Sequence, residues 1–582
     1  MIEPRQGTTR SDILTLVLMT IIAGIPLLGG RALGGHDIIN YLIVAQQTAA
    51  NLREGIVFPA WAGGFNAGFG SPLLIFFPPL TGYIHSLWVL AGIPVAAGVC
   101  ISAVVAHFLS GLAMYWWLRS TGVGHPALPA AVVYMVAPYR LVDLYFRSAL
   151  GEHWSFLWPP LILGVASSRR LSAPAQAALL ALLIAALVTT NLPLAVLFGI
   201  GLAAWFLISD QLQNLRVRIV GGVILGFAIA AFALVPQALA PSYLNLDACF
   251  GRAATRMQPS TNTLFADGFT IWNVNTVLSV VMLASFALVM LAHFLTPEPE
   301  RRRRGAWLAA LAAVACLMAA TGPAGRVWDA LPVLSKLQFP WRATAVMTLL
   351  AAAVTGRLPL RRAWFVAAVA ATFSIPALVW NRTLPISKFR PDRPPHFERG
   401  SMFPDPEAAW ETGSRGWYWR HHNLVELCLL PKSMKPSMMR ELAGSRMPAF
   451  DSIRGRAVTV MDAPSASVKV LKWGQAHRVV EIDSPTDSTL VWRVLDFPEM
   501  IVAVDRAQVP VKGDPTTGLV SHPVPGGRHM VSWSWRPFPE LVAARVVSLA
   551  GAVATAWLAF TAWGGRRARR HLNEPDPRIG QR

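Results

Sequence analysis

The chain has 582 residues, 54% of them hydrophobic and only 14% charged, with a mean hydropathy of +0.45 and a formal net charge of +20. Repeated long apolar runs at this composition exclude a soluble core as the main product and point to a multi-spanning α-helical membrane protein. The surplus arginines sit in short clusters between apolar runs, the pattern that orients a membrane protein, so no nucleic-acid partner is expected.

Those clusters, at Arg169 and Arg170, Arg216 and Arg218, Arg301 to Arg304, Arg357 to Arg362 and Arg566 to Arg570, are expected to face the cytoplasm. The first helix, 12–30, follows Arg5 and Arg10 and has no clear small-residue cleavage site after it, so it reads as an uncleaved span with its N-terminus inside. A first outer loop, 31–94, follows. Residues 38–54 carry Ile38, Tyr41, Leu42, Ala45, Ala49 and Leu52 at helical spacing, as in a helix lying in the interface. The apolar run from Leu80 to Ile93 falls short of the roughly twenty residues a span needs, and reads as re-entrant or interfacial.

Further spans are expected at 95–118, 126–142, 153–168, 172–189, 192–208, 219–240, 272–294, 306–320, 341–356, 363–379 and 541–562, which makes about twelve with the first. Both termini are then cytoplasmic, with a basic tail at 563–582. Residues 1–380 form the membrane domain and 381–455 an irregular outer linker that includes GWYWRHHN at 416–423. From 456 to 540 the pattern changes to short alternating runs, such as TLVWRVLD at 489–496 and HMVSWSW at 529–535. These predict an outer β-sandwich or jelly roll in which Val531, Trp533 and Trp535 share one face. Cys100, Cys249, Cys316 and Cys428 are scattered without metal-ligand spacing, and Cys100 and Cys316 read as small apolar core residues.

Three groups could carry chemistry. Asp37, after His36, stands at the start of the interfacial helix; it can cap that helix, act as a general base, or hold a metal bridging a donor's phosphates. The stretch PYRLVDLYFRSALGEHW, Pro138 to Trp154, offers Asp143, Arg147, Glu152 and His153 on the same outer side, with Arg147 a natural phosphate clamp; its charges could equally meet water and lipid head groups. Arg53, Arg252, Arg256 and Arg342 face outward against the positive-inside trend, which as a set suggests a lipid-linked phosphate, although snorkelling accounts for any one of them. Gly63 to Gly70 lack the Lys-Ser or Lys-Thr of a phosphate loop and read as tight turns. Phe76, Phe77 and Tyr83 fit an interfacial belt or the wall of a prenyl-chain groove.

At these residues the sequence resembles a bacterial group of integral membrane proteins labelled as related to 6-pyruvoyl-tetrahydropterin synthase, similar to YfhO-type proteins and to the GT-C glycosyltransferase superfamily. The matching blocks are Asp37, GIVFPAW at Gly55 to Trp61, Gly68 to Pro72 and Phe76 to Leu80. Two more follow: Pro138, Tyr139, Asp143 to Tyr145, Arg147 and Glu152, then Gln338 to Arg342 as QFPWR. The chain departs at Asn191, where relatives have His, and at DFPEM, 496–500, where they have a Pro-Gly-Trp turn.

The resemblance implies a GT-C-like membrane domain and transfer of a sugar from a polyprenyl-phosphate donor to an envelope glycan, lipid or protein at the outer face of the inner membrane. Asp37 and Glu152 would be catalytic or hold a divalent Mg or Mn. His36, Asp143, Arg147, His153, Arg256, Gln338, Trp341 and Arg342 would bind substrate, and the outer β-domain would hold the acceptor. No pterin-synthase domain or zinc-binding His triad is visible. The rival functions are a transporter or flippase of lipid-linked saccharides, which inverted repeats would favour and none is evident, and a non-catalytic envelope-polysaccharide assembly factor.

Overall fold

The computed structural model describes residues 10–64, 69–208, 216–239, 274–298, 312, 328, 330–331, 334, 337, 339–386, 458–514 and 518–573. Among these, seven helices are long and apolar enough to cross a membrane, or eight if one bent pair counts as a single span. Six of them are α1 (Arg10–Gly24, prolonged by a 3-10 turn to Leu27), α5 (Val95–Ser120), α10 (Ala173–Thr190), α14 (Val274–Leu295), α16 (Leu360–Val379) and α17 (Pro539–Asn573). The seventh, Ala127–Arg147, combines α6 (Ala127–Val136), α7 (Pro138–Val142) and a π-helical turn at Asp143–Arg147.

Among the described residues the expected twelve spans are not all seen as single long helices, because prolines or bends interrupt some of the runs. The 153–168 run is divided into α8 (Leu150–Ser155) and α9 (Trp158–Ala166), whose first turn carries Pro159 and Pro160 and so cannot continue the preceding ladder of amide hydrogen bonds. The 219–240 run is α12 (Arg216–Ile229) and α13 (Ala231–Leu239), bent by 63° at the break. The 341–356 run holds α15 (Thr344–Thr355), a 12-residue helix buried along its whole length. The run at 192–208 contains α11 (Leu192–Ile208), and 306–320 lies outside the described residues but for Ala312.

Two short strands fix which helix ends meet. β1 (Arg31–Leu33), after α1, pairs antiparallel with β2 (Thr383–Pro385), after α16, so the ends of these spans lie together. Tyr145 donates to the Ala23 carbonyl, and Arg382 N donates to Tyr145 O at 3.2 Å, which brings the end of the Ala127–Arg147 span to the same place. At the opposite end Arg362, from the expected cytoplasmic group, donates to Leu295 O at 2.7 Å. The charge-based sorting thus agrees with which ends are adjacent.

The first loop folds into α2 (Ile38–Arg53), α3 (Leu73–Phe76) and α4 (Pro79–Leu90). At 12 residues α4 is about 18 Å long and does not cross a bilayer. The β-region between α16 and α17 is two antiparallel sheets. One has the order β3-β6-β10-β9: β3 (Val458–Met461), β6 (Ser488–Leu495), β10 (Leu519–Val524) and β9 (Lys512–Gly513). The other has the order β4-β5-β11-β7-β8: β4 (Ser467–Trp473), β5 (His477–Ser484), β11 (Gly527–Trp535), β7 (Met500–Val504) and β8 (Ala507–Val509). Val531, Trp533 and Trp535 are buried on one face of β11, as their alternation requires.

One apolar core joins this sandwich to the first loop. Trp61, 1% exposed, stacks on Trp535 with ring centres 5.7 Å apart and meets Phe497 edge-on at 5.5 Å. Gly70, at φ +79°, closes over the Trp61 indole, where an added Cβ would lie 2.4 Å from the ring. Gly70→Ala combines a left-handed backbone with overpacking, and is expected to destabilise the outer domain by about 2 kcal/mol, read from the denaturant midpoint of tryptophan fluorescence.

Candidate active site

The site forms where the first loop meets the turn after α7. The five-residue π turn is followed by Ser148 at φ 54°, a left-handed conformation rare outside glycine, so the chain reverses sharply and keeps Asp143, Arg147 and Glu152 close. The first loop is stitched onto this turn: Asp37 N donates to Arg147 O at 2.8 Å and Gly35 N to Ser148 Oγ at 3.0 Å. Only glycine fits at position 35, because a Cβ there would stand 2.6 Å from the Arg147 carbonyl carbon.

Arg147 is the centre of the cluster. Its Nη1 meets Asp143 Oδ1 at 2.8 Å and Glu152 Oε2 at 2.7 Å, its Nη2 meets Glu152 Oε1 at 2.9 Å, and Asp37 Oδ2 lies 3.6 Å from Nη2. Glu152 also receives Arg342 Nε on Oε1 at 2.7 Å and the Tyr139 hydroxyl on Oε2 at 2.8 Å. Four donors fill the lone-pair directions of its carboxylate. Burial works to raise the Glu152 pKa, but Arg147 and Arg342 outweigh it and hold the carboxyl below the ordinary glutamate range. The expected phosphate clamp thus has its guanidinium engaged by carboxylates, and Glu152 orients two arginines.

Asp37 is different. It occupies the N-cap position of α2 yet makes no side-chain cap hydrogen bond. Its side chain is 41% exposed and, among the described residues, its one ion pair is the 3.6 Å contact with Arg147. Close packing around the carboxyl raises its pKa above the ordinary aspartate value, while Arg147 pulls the other way and Glu152 adds to the rise. The cluster therefore presents one accessible carboxylate, less acidic than usual.

Beside Asp37, exposed His36 offers Nε2 to Arg382 Nη1 at 2.7 Å, and the Arg382 guanidinium lies over the Phe146 ring at 3.9 Å. Sequence reasoning did not single out Arg382. Its signal was the one used for Arg342, a cation just beyond an apolar run on the side where arginines are scarce. Trp341 is buried and stacks on Phe339 at 4.4 Å, shaping the turn that delivers Arg342. His153 is not in this group; it lies in the interior, its ring parallel to His107 at 5.5 Å. Arg53, though exposed, donates to Val89 O at 3.1 Å within the first loop. Arg252, Arg256 and Gln338 lie outside the described residues.

Of the two carboxylates expected to hold a metal, Asp37 alone is accessible. Glu152 has no oxygen direction left, Asp143 is buried against Arg147, and among the described residues no group of three His, Cys, Asp or Glu side chains is placed to hold an ion.

No protein-family model and no curated protein matches the chain, so the specific membrane-protein group suggested by the sequence blocks gains no support there. Solved structures do resemble it. One is the arabinofuranosyltransferase AftD from Mycobacteria, at 14% identity and TM-score 0.42 over 71% of this chain; the match spans 29% of AftD, under a third of its length. Another is ArnT from Cupriavidus metallidurans, bound to undecaprenyl phosphate, at 12% identity and TM-score 0.33 over 82% of this chain and 98% of that one.

Proposed function

We propose that the protein is a membrane glycosyltransferase of GT-C type, moving a sugar from a polyprenyl-phosphate donor to a cell-envelope acceptor at the outer face of the inner membrane. The observation that carries the reading is the Asp37 carboxylate: accessible, not engaged in capping, raised in pKa, and held beside a cluster of arginines by backbone hydrogen bonds. In the reaction Asp37 takes the proton of the acceptor hydroxyl. The hydroxyl oxygen forms the new bond to the anomeric carbon, the bond from that carbon to the phosphate oxygen breaks, and its electron pair leaves with the lipid phosphate.

Arg382 and His36, at the open edge, are the groups suited to meet the departing phosphate, with Arg342 behind them. Arg147 and Glu152 act as positioning residues, and Asp143 completes the charge balance around Arg147. The β-domain anchors the first loop through Trp61 and would present the acceptor beside it.

The test supplies purified protein with polyprenyl-phosphate sugars and an envelope glycan fraction and measures released polyprenyl phosphate. Release supports the reading. Tight binding without release favours an assembly factor, and transbilayer movement of the intact donor favours a flippase. As a base Asp37 must be ionised, so the acid limb of turnover should lie above the ordinary aspartate value near ~3.9. A limb at or below that value in the pH–rate profile would contradict the assignment. Chelation with EDTA is expected to leave turnover unchanged, because Glu152 and Asp143 are paired with arginines and Asp37 is left as the one accessible carboxylate of the cluster.

A further inference from the structure

The first loop meets the turn after α7 through a further bond besides those of Gly35 and Asp37. Gly151 N, in the first turn of α8, donates to the Tyr41 hydroxyl at 2.7 Å across 110 residues of sequence. An amide at a helix start has no partner within its own helix, and Ala149, the residue before α8, has no side-chain acceptor to offer. Tyr41 supplies one from α2. The next residue along is Glu152, which holds Arg147 and Arg342.

The contact is closely fitted on both sides. A Cβ at position 151 would stand 2.9 Å from the Tyr41 oxygen and 3.0 Å from Thr190 O, so glycine is the residue that lets the phenol approach. The ring is buried and braced edge-on by Phe77 at 5.2 Å and His85 at 5.8 Å. Burial, with the charges of Asp37, Glu152 and Asp143, raises the Tyr41 pKa. The phenol therefore stays protonated, and its hydrogen, which the Gly151 bond does not use, is left to donate.

Tyr41 stands four residues after Asp37, and residues so spaced on a helix are neighbours on one face. The bond to α8 thus fixes the helix that begins at the accessible carboxylate against the helix that carries the arginine-holding one. The charged groups acting on Asp37 are Arg147, Glu152 and Arg342, with His36 and Arg382 at the open edge. Of these, Arg147 at 3.6 Å favours the ionised carboxyl, so a shift of α2 would weaken that pull.

We infer that Tyr41 is a positioning residue, setting Asp37 against the Arg147 and Glu152 pair through Gly151, a role that rests on Asp37 acting as the base. The test uses the purified full chain with polyprenyl-phosphate sugars. Tyr41→Phe keeps the ring and removes the hydroxyl; it should lower kcat about ten- to a hundredfold, the cost of a small misplacement, with KM changed less than about twofold. The acid limb of the pH–rate profile should move upward, because an Asp37 that drifts from Arg147 loses the cation favouring its ionised form. Gly151→Ala, which pushes the phenol away but keeps its hydroxyl, should act in the same direction. Phe77→Leu, which loosens the packing and leaves the bond, should lower the inactivation temperature alone.

A second readout does not depend on turnover: infrared titration of the carboxyl band that Asp37→Asn removes. Its midpoint should rise in Tyr41→Phe and in Gly151→Ala. An unmoved limb and an unmoved band in both variants would overturn the assignment, and so would an equal shift in Phe77→Leu, since packing alone would then account for it. If Asp37 is not the base, Asp37→Asn turns over normally while the band still shifts in Tyr41→Phe. If the positioning role alone fails, Asp37→Asn is inactive and the band stays where it is.

Discussion

Asp37→Asn is expected to lower turnover by about 10²–10⁴-fold, the usual contribution of a positioned base, while leaving the fold intact. The substitution preserves shape. The backbone hydrogen bond from residue 37 to Arg147 O is untouched, and the one ion pair at risk is a 3.6 Å contact on a side chain 41% exposed, a geometry that contributes little to stability. The competing role, helix capping, makes the opposite pattern: loss of a cap costs about 0.5–2 kcal/mol of stability and leaves the chemical step alone. The two are separated by comparing kcat with thermal inactivation in the same preparation. Wild-type turnover in the variant would remove Asp37 from the mechanism.

Glu152→Ala is expected to cost about 3–5 kcal/mol, read as a lower inactivation temperature in detergent, because it leaves two buried guanidiniums without their shared carboxylate. Arg147 would retain Asp143, but Arg342 would keep, among the described residues, its bond to Leu337 O at 2.6 Å and the Phe339 ring 5.0 Å away, with no carboxylate. Tyr139 would also lose its acceptor. Glu152→Gln should fall between the two, since an amide fills the space and accepts hydrogen bonds with one oxygen while presenting two donors to the arginines. If Glu152→Ala were as stable as the wild type, the cluster would not organise the turn after α7.

Charge and hydropathy made much of this arrangement legible before any coordinates. Asp37 and Glu152 were placed on two loops at one side, and each reaches Arg147. The short run from Leu80 to Ile93 was read as re-entrant or interfacial rather than as a span, and α4 is too short to cross a bilayer. The shared face of Val531, Trp533 and Trp535 followed from alternation alone.

What the sequence did not reveal depended on partners distant along the chain. Asp37 at a helix start looks the same whether or not its carboxylate caps. Arg147 looks like a phosphate clamp until three carboxylates are found around it. His153 sits one residue from Glu152, yet helical rotation turns it into the interior against His107. About twelve spans were expected; among the described residues the Trp-Pro-Pro break at α9 and the bend before α13, which window hydropathy does not register, interrupt two of the expected runs.

The docking of Trp61 into the β-domain has a consequence for biosynthesis. Arg478 of the sandwich donates to Gly63 O at 3.4 Å across 415 residues of sequence, and Trp535 stacks on Trp61 from still further along. The first loop leaves the ribosome early, but the surface that holds it is made near the end. Contacts of such long range form late and slowly. The first loop would thus remain unanchored while most of the membrane bundle is inserted, and truncation before the sandwich should yield a membrane-integrated protein in which Asp37 and Arg147 are not held together.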